Sequence, residues 1–227
     1  MTRQSRVSLV TILAAGLLLA LGAMTSLGAG DPGSEPQPPT GVRAVFSTDG
    51  TKLASLTPGG EITVVDLRSG AEPLILRGGA GVASDLVFSP DAQALAIASD
   101  NAIALWDLSE ASEPAMLLDE PESRVTRLAF SPRGDAVAAV LDDARIAIWE
   151  LKDQTEKSIL LPQNQSVKEI AFSPDGSLLA SHGTGPQVTL WDLASRRESQ
   201  TFSSSTGGAI TGIAYGPAGA TLAAADE

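Results

Sequence analysis

Beyond residue 41 the apolar residues come in short runs broken by turn residues, and no stretch of about ten residues keeps a helical period. The clearest run is AFSPDGSLLA at residues 171–180. It reads as strand, tight turn, strand. Near-copies are VFSTDGTKLA at 45–54, VFSPDAQALA at 87–96, AFSPRGDAVA at 129–138 and AYGPAGATLA at 214–223. The aromatics that open them are Phe46, Phe88, Phe130, Phe172 and Tyr215, spaced by 42, 42, 42 and 43 residues. A second marker follows the first four hairpins: ITVVDL at 62–67, IALWDL at 103–108, IAIWEL at 146–151 and VTLWDL at 188–193. Its acidic residue recurs at Asp66, Asp107, Glu150 and Asp192. Two markers sharing one period define a structural repeat.

Each unit holds four strand-like runs. In the second they fall at about 83–89, 94–98, 102–107 and 115–118, rich in β-branched and small apolar residues. The pattern predicts a four-stranded antiparallel meander per unit and an all-β fold. In Ser173-Pro174-Asp175-Gly176, Pro sets φ at the first corner, Asp suits the second, and Gly accepts φ > 0 as the chain re-enters a strand. Ala92 stands at the Gly position of the second unit, where a positive φ would cost about 1 kcal/mol.

FSPDG, the LAS that follows it and the VTLWDL strand together resemble the WD-repeat family of β-propellers. The resemblance runs from about residue 42 to Glu227. Its markers are Phe88, Phe130 and Phe172 and the pairs Trp106-Asp107, Trp149-Glu150 and Trp191-Asp192, with Val65-Asp66 in the first unit. It implies blades at about 42–81, 82–123, 124–165 and 166–208 and a partial blade at 209–227. Many members carry a Gly-His pair before the aromatic, in a hydrogen-bond network with a turn Asp, a Ser or Thr, and the Trp. Here Gly78-Gly79, Glu120-Pro121, Pro162-Gln163 and Ser205-Thr206 stand in its place. Asp100 and Asp143 occupy the turn-Asp position, Gly59 and Gly185 the same place in the first and fourth units. Apolar packing of the Trp side chains is therefore expected to carry the blades. Members usually close a ring with about seven blades, so four full blades and half a fifth make an incomplete ring. A truncated or split gene product is the favoured expectation. A ring completed by self-association or a second chain, and a small closed ring, are the alternatives.

The N-terminal segment is of another kind. Residues 7–30 are uncharged, and Arg3 and Arg6 precede them without an acid. A cationic start before an apolar run predicts a helix at 1–30 serving as a signal peptide or a retained signal anchor. The arginines stay cytoplasmic and the rest is exported. The expected location is periplasmic or extracytoplasmic, or anchored in the inner membrane of a bacterial-type cell with the propeller outside. The Pro-rich stretch 31–41 reads as an extended linker.

Composition narrows the chemistry. The net charge of -12 disfavours nucleic acid. Zero cysteines exclude disulfides, thiolate metal sites and a cysteine nucleophile. His182 is the single histidine. It has no nucleophile elbow beside it, and a zinc site wants several His or Cys ligands, so it is expected to be a strand-end residue. The Gly-rich stretch 77–85 lacks the Gly-Lys-Ser/Thr of a phosphate loop. Asp119, Glu120 and Glu122, like Asp142 and Asp143, lack the spacing of a calcium loop. No catalytic residue, metal or cofactor is expected. The expected function is a non-enzymatic scaffold for protein partners, with a ligand-sensing or enzymatic central cavity as the alternative. In the family, partners dock on the end carrying the outer-to-inner loops and the second-to-third-strand turns. By resemblance that end holds Asp100, Glu122, Arg124, Asp142, Asp143, Gln163 and His182.

Overall fold

The computed structural model describes residues 43–56, 61–76, 83–109, 114–119, 123–152, 157–160 and 166–227. The predicted apolar helix and linker lie outside the described residues, as do Glu122 and Gln163. No helix among the described residues is long and apolar enough to cross a membrane.

The described residues are all strands, turns and irregular connections. The first sheet holds β1 (Arg43–Phe46), β2 (Lys52–Leu56), β3 (Ile62–Asp66) and β4 (Leu74–Leu76). The second holds β5 (Ala83–Phe88), β6 (Ala94–Ser99), β7 (Ala102–Asp107) and β8 (Met116–Asp119). The third holds β9 (Val125–Phe130), β10 (Ala136–Leu141), β11 (Ile146–Glu150) and β12 (Lys157–Leu160). The fourth holds β13 (Val167–Phe172), β14 (Leu178–Gly183), β15 (Gln187–Asp192) and β16 (Arg197–Ser203). A two-stranded sheet, β17 (Ile210–Tyr215) and β18 (Leu222–Asp226), follows. Every sheet is an antiparallel meander in chain order. The strands of the second sheet match the sequence reading to within a residue.

Local chemistry builds each hairpin. Ser173 Oγ donates to Asp175 Oδ1 (2.6 Å) and accepts the Leu178 amide (2.9 Å). The Gly176 amide closes the turn on Ser173 O. Gly50, Gly134, Gly176 and Gly219 all have φ near +70°. Ala92 takes the same turn at φ 58° and carries the strain expected of it. The turns also lean on one another. Lys52 Nζ donates to Ala92 O (2.8 Å), and Arg133 Nη2 to Asp175 O (3.0 Å), each reaching the next turn along the chain.

These turns make the fold acid-sensitive in a defined window. Hydrogen bonds from the Ser47 hydroxyl and then the Thr51 amide hold the Asp49 carboxyl down to about 2. The Ser173 hydroxyl and the Ser177 amide hold Asp175 down to about 2 as well. A carboxyl depressed by folding contributes stability above its unfolded value, near 3.8, and loses it as pH falls through the folded value. Urea midpoints should therefore drop between pH about 4 and about 2. The Asp49→Asn/Asp175→Asn double variant should show a shallower acid limb, and an unchanged limb would remove these turns as its source.

The sheets pack face to face in sequence. The first strands lie side by side: β1 against β5, β5 against β9, β9 against β13 and β13 against β17. The middle strands of the second and third sheets are covered on both sides, so β6 (ALAIAS) and β10 (AVAAVL) are buried at five of six positions rather than alternately. Small Ala side chains on these strands leave room for Trp from the next sheet. Trp106 packs with Ala54, Leu56 and Val64 of the first sheet. Trp149 packs with Ala96, Ala98 and Leu105 of the second, and Trp191 with Ala138, Val140 and Ile148 of the third. The outermost strand β16 is exposed throughout.

Candidate functional site

One end of the sheets carries the β6–β7, β10–β11 and β14–β15 turns together with the loops that enter β9, β13 and β17. Asp100 sits in the β6–β7 turn at φ 48°, exposed. Its carbonyl accepts the Val125 amide (2.7 Å), which ties the turn to the start of β9. Arg124, next to Val125, donates its amide to Asp142 Oδ1 (3.1 Å). The Asp142 amide returns a bond to Arg124 O (2.9 Å). Asp100, Arg124 and Asp142 are thereby fixed next to one another across two sheets, with all three side chains exposed.

Asp143 lies beside them and replaces its missing histidine partner. Ser123 Oγ donates to Asp143 Oδ2 (2.6 Å), and so does Arg145 Nε (2.6 Å). Arg145 Nη2 also reaches Ser123 Oγ (2.9 Å). Burial pushes the Asp143 carboxyl up, but the Ser123 and Arg145 bonds outweigh it and hold it below the usual range. Asp226 repeats the arrangement at the same end, accepting from Ser204 and from Thr206 Oγ1 (2.6 Å). Asp143 thus finds a hydroxyl partner where a network without histidine was expected to leave packing alone. At the opposite end the acids of the Trp-Asp pairs hold turns. Asp107 accepts the Ser109 amide (2.8 Å) and Asp192 the Ser195 amide (2.7 Å), while the Glu150 side chain is exposed.

His182 is the expected strand-end residue, next to last in β14. It is 4% exposed and does not present itself on the surface of this end. Like Ala98 and Val140 at the same place in the second and third blades, it lies on a covered middle strand, and a register shift between Val167 and Glu169 sets Glu169 opposite it. His182 Nε2 then meets Glu169 Oε2 at 3.0 Å, and Nδ1 faces Gly183 O at 3.1 Å. Both ring nitrogens are occupied, so the ring has no free nitrogen for a metal. Among the described residues no group of three or more His, Cys, Asp or Glu could hold one.

Glu169 also accepts the Ile213 amide of β17 (3.2 Å). Asp85 does the same two interfaces earlier: Leu128 of β9 donates its amide to Asp85 Oδ2 (2.9 Å). Both acids lie three residues before their repeat's aromatic, on first strands. Read down that column the residues are Arg43, Asp85, Arg127, Glu169 and Gly212. The column escapes motif reading because its charge alternates, but alignment on the period reveals it. Asp85, Arg127, Lys168, Glu169 and His182 line one cavity of about 460 Å3 among the first strands, joined by Thr184, Thr211 and Glu227.

Sheets stacked in chain order, with their first strands against one another, are the geometry of a β-propeller. The β-propeller domain of Cps50 (Swd1) from Myceliophteria thermophila superposes at a TM-score of 0.70. The match covers 82% of this chain and 62% of that one, at 19% identity.

The sheets are propeller blades.

Residues 74–107 and 112–150 match the WD domain, G-beta repeat family. These two segments run from β4 through β7 and from the approach to β8 through β11, so each joins the outer strand of one blade to the first three of the next. No curated protein matches the chain by sequence. The chain spans about 62% of the length of the propeller domain it resembles.

Proposed function

We propose that this chain is a non-catalytic scaffold that presents the Asp100, Arg124, Asp142 and Asp143 end of its blades to a protein partner. One observation carries the reading. The backbone segments that carry exposed charges of two adjacent blades are tied to one another by hydrogen bonds rather than left as independent loops. A preorganised polar surface loses less entropy on binding. The net charge of -12 supports a protein rather than a nucleic-acid partner. The uncharged run at 7–30 behind Arg3 and Arg6 supports an extracytoplasmic location.

The test is capture of partners from membrane and periplasmic fractions with the full chain as bait. A partner should be recovered reproducibly. The Asp100→Lys/Arg124→Glu/Asp142→Lys variant should lose it by about tenfold or more, the effect of about 1.4 kcal/mol, with an unchanged circular dichroism spectrum. Failure to recover any reproducible partner, or equal recovery by the variant, would sink the reading.

A further inference from the structure

The cavity among the first strands contains charges of both signs, and they differ in what they are already doing. Asp85 accepts the Leu128 and Leu86 amides. Glu169 accepts the Ile213 amide and faces His182. The acids of β5 and β13 are therefore spent on holding blades together. The two cations are not. Arg127 makes one hydrogen bond, from Nη1 to the carbonyl of its neighbour Thr126 (2.7 Å). No carboxylate pairs with Arg127 or Lys168 among the described residues. Arg127 and Lys168 are therefore the charged groups of this cavity left to hold an anion.

We infer that this cavity binds a carboxylate group, held by Arg127 and Lys168, with the Thr184 hydroxyl as a further donor. The guanidinium of Arg127 suits a carboxylate through its fork of N–H donors, and Lys168 adds a point charge. Phosphate fits less well. Asp85, Glu169 and Glu227 line the same cavity, and phosphate concentrates its charge at one point beside them, whereas a dicarboxylate or acidic peptide sets one carboxylate on the two cations and carries any second charge several bonds away. A volume of about 460 Å3 accepts a small dicarboxylate or the side chain and flanking backbone of an acidic peptide. The peptide source rests on the scaffold reading above, while the dicarboxylate source does not.

Ligand-observed NMR on the full chain tests this with four probes: glutarate, N-acetyl-Ala-Glu-Ala-amide, its Ala-Lys-Ala counterpart and inorganic phosphate. Glutarate or the Glu peptide should show saturation transfer, and the better binder identifies the source. Arg127→Gln and Lys168→Gln should each weaken that binding by about tenfold, as expected for loss of one charge-assisted hydrogen bond. Lys152→Gln, at the opposite end of the third blade, should leave it unchanged. Binding of the Lys peptide or phosphate at least as strong as the Glu peptide and glutarate would overturn the inference. So would absence of transfer from all four probes, or undiminished binding to the Arg127→Gln/Lys168→Gln double variant. Loss of the cavity probes alongside retained partner capture would reject the cavity alone. The reverse pattern would reject the scaffold.

Discussion

Trp106→Ala should destabilise the propeller by about 3–5 kcal/mol, the usual cost of emptying a buried Trp site. The side chain is 1% exposed and fills the seam between the first two blades. Its nearest neighbours are Ala and aliphatic side chains on covered strands, which cannot collapse into the void without moving whole sheets. The sharper test is Trp→Phe. Trp106 Nε1 is buried with no hydrogen-bond partner among the described residues, so Trp106→Phe removes an unsatisfied donor along with part of the ring. Trp191 Nε1 donates to Ser181 Oγ at 2.8 Å, so Trp191→Phe leaves a buried hydroxyl without its partner, worth about 1–3 kcal/mol. Trp191→Phe should thus cost more than Trp106→Phe, although the two residues occupy the same place in the repeat. Urea unfolding followed by far-ultraviolet circular dichroism reads both. Equal costs would show that the Ser181 bond contributes nothing.

The reason for this asymmetry is written in the second strand of each blade. Leu95, Val137 and Leu179 sit opposite the three Trp residues. Two positions further on stand Ile97, Ala139 and Ser181. The fourth blade alone among these three supplies a hydroxyl at that position. Strands, turns and Trp placement were legible in the sequence because they are local: a Pro-Asp-Gly corner and an apolar run act within ten residues or so. The charged end was legible through resemblance, which grouped Asp100, Arg124 and Asp142 before the backbone bonds joining them were seen. The cavity was not legible. Its residues are contributed by β5, β9, β13 and β17, brought together only by the stacking of blades, and their column alternates in sign. The pairing of His182 was not legible for a related reason. Blade stacking buries its strand, as it buries Ala98 and Val140, and a one-residue irregularity in β13 sets Glu169 against it, which the strand pattern does not mark.

Asp85→Ala should open the seam between the second and third blades, at a cost of about 2–3 kcal/mol for losing a charge-assisted bond and leaving a buried donor unsatisfied. Asp85 is 2% exposed. Its carboxylate reaches across from β5 to the Leu128 amide of β9, and Ser84 Oγ donates to Val125 O (2.6 Å) at the same interface. The strands themselves are not hydrogen-bonded to each other, since they belong to separate sheets. The side-chain clasp therefore joins the Ser84 bond and the Val125 amide bond to Asp100 O as the polar contacts of an interface otherwise made by apolar packing. Asp85→Asn keeps an oxygen acceptor but loses its charge, so it should cost less than Asp85→Ala. Glu169→Ala removes the equivalent clasp between the fourth and fifth blades. The Glu169 side chain is 44% exposed, so water can replace it at the Ile213 amide and the loss should be smaller than at Asp85. Hydrogen exchange gives the local readout. The Leu128 amide should lose protection in Asp85→Ala before the rest of β9 does, because within β9 only that donor is orphaned. Uniform loss across β9 would mean that Asp85 acts through folding of the whole blade, and unchanged protection at Leu128 would show that the clasp does not hold in solution.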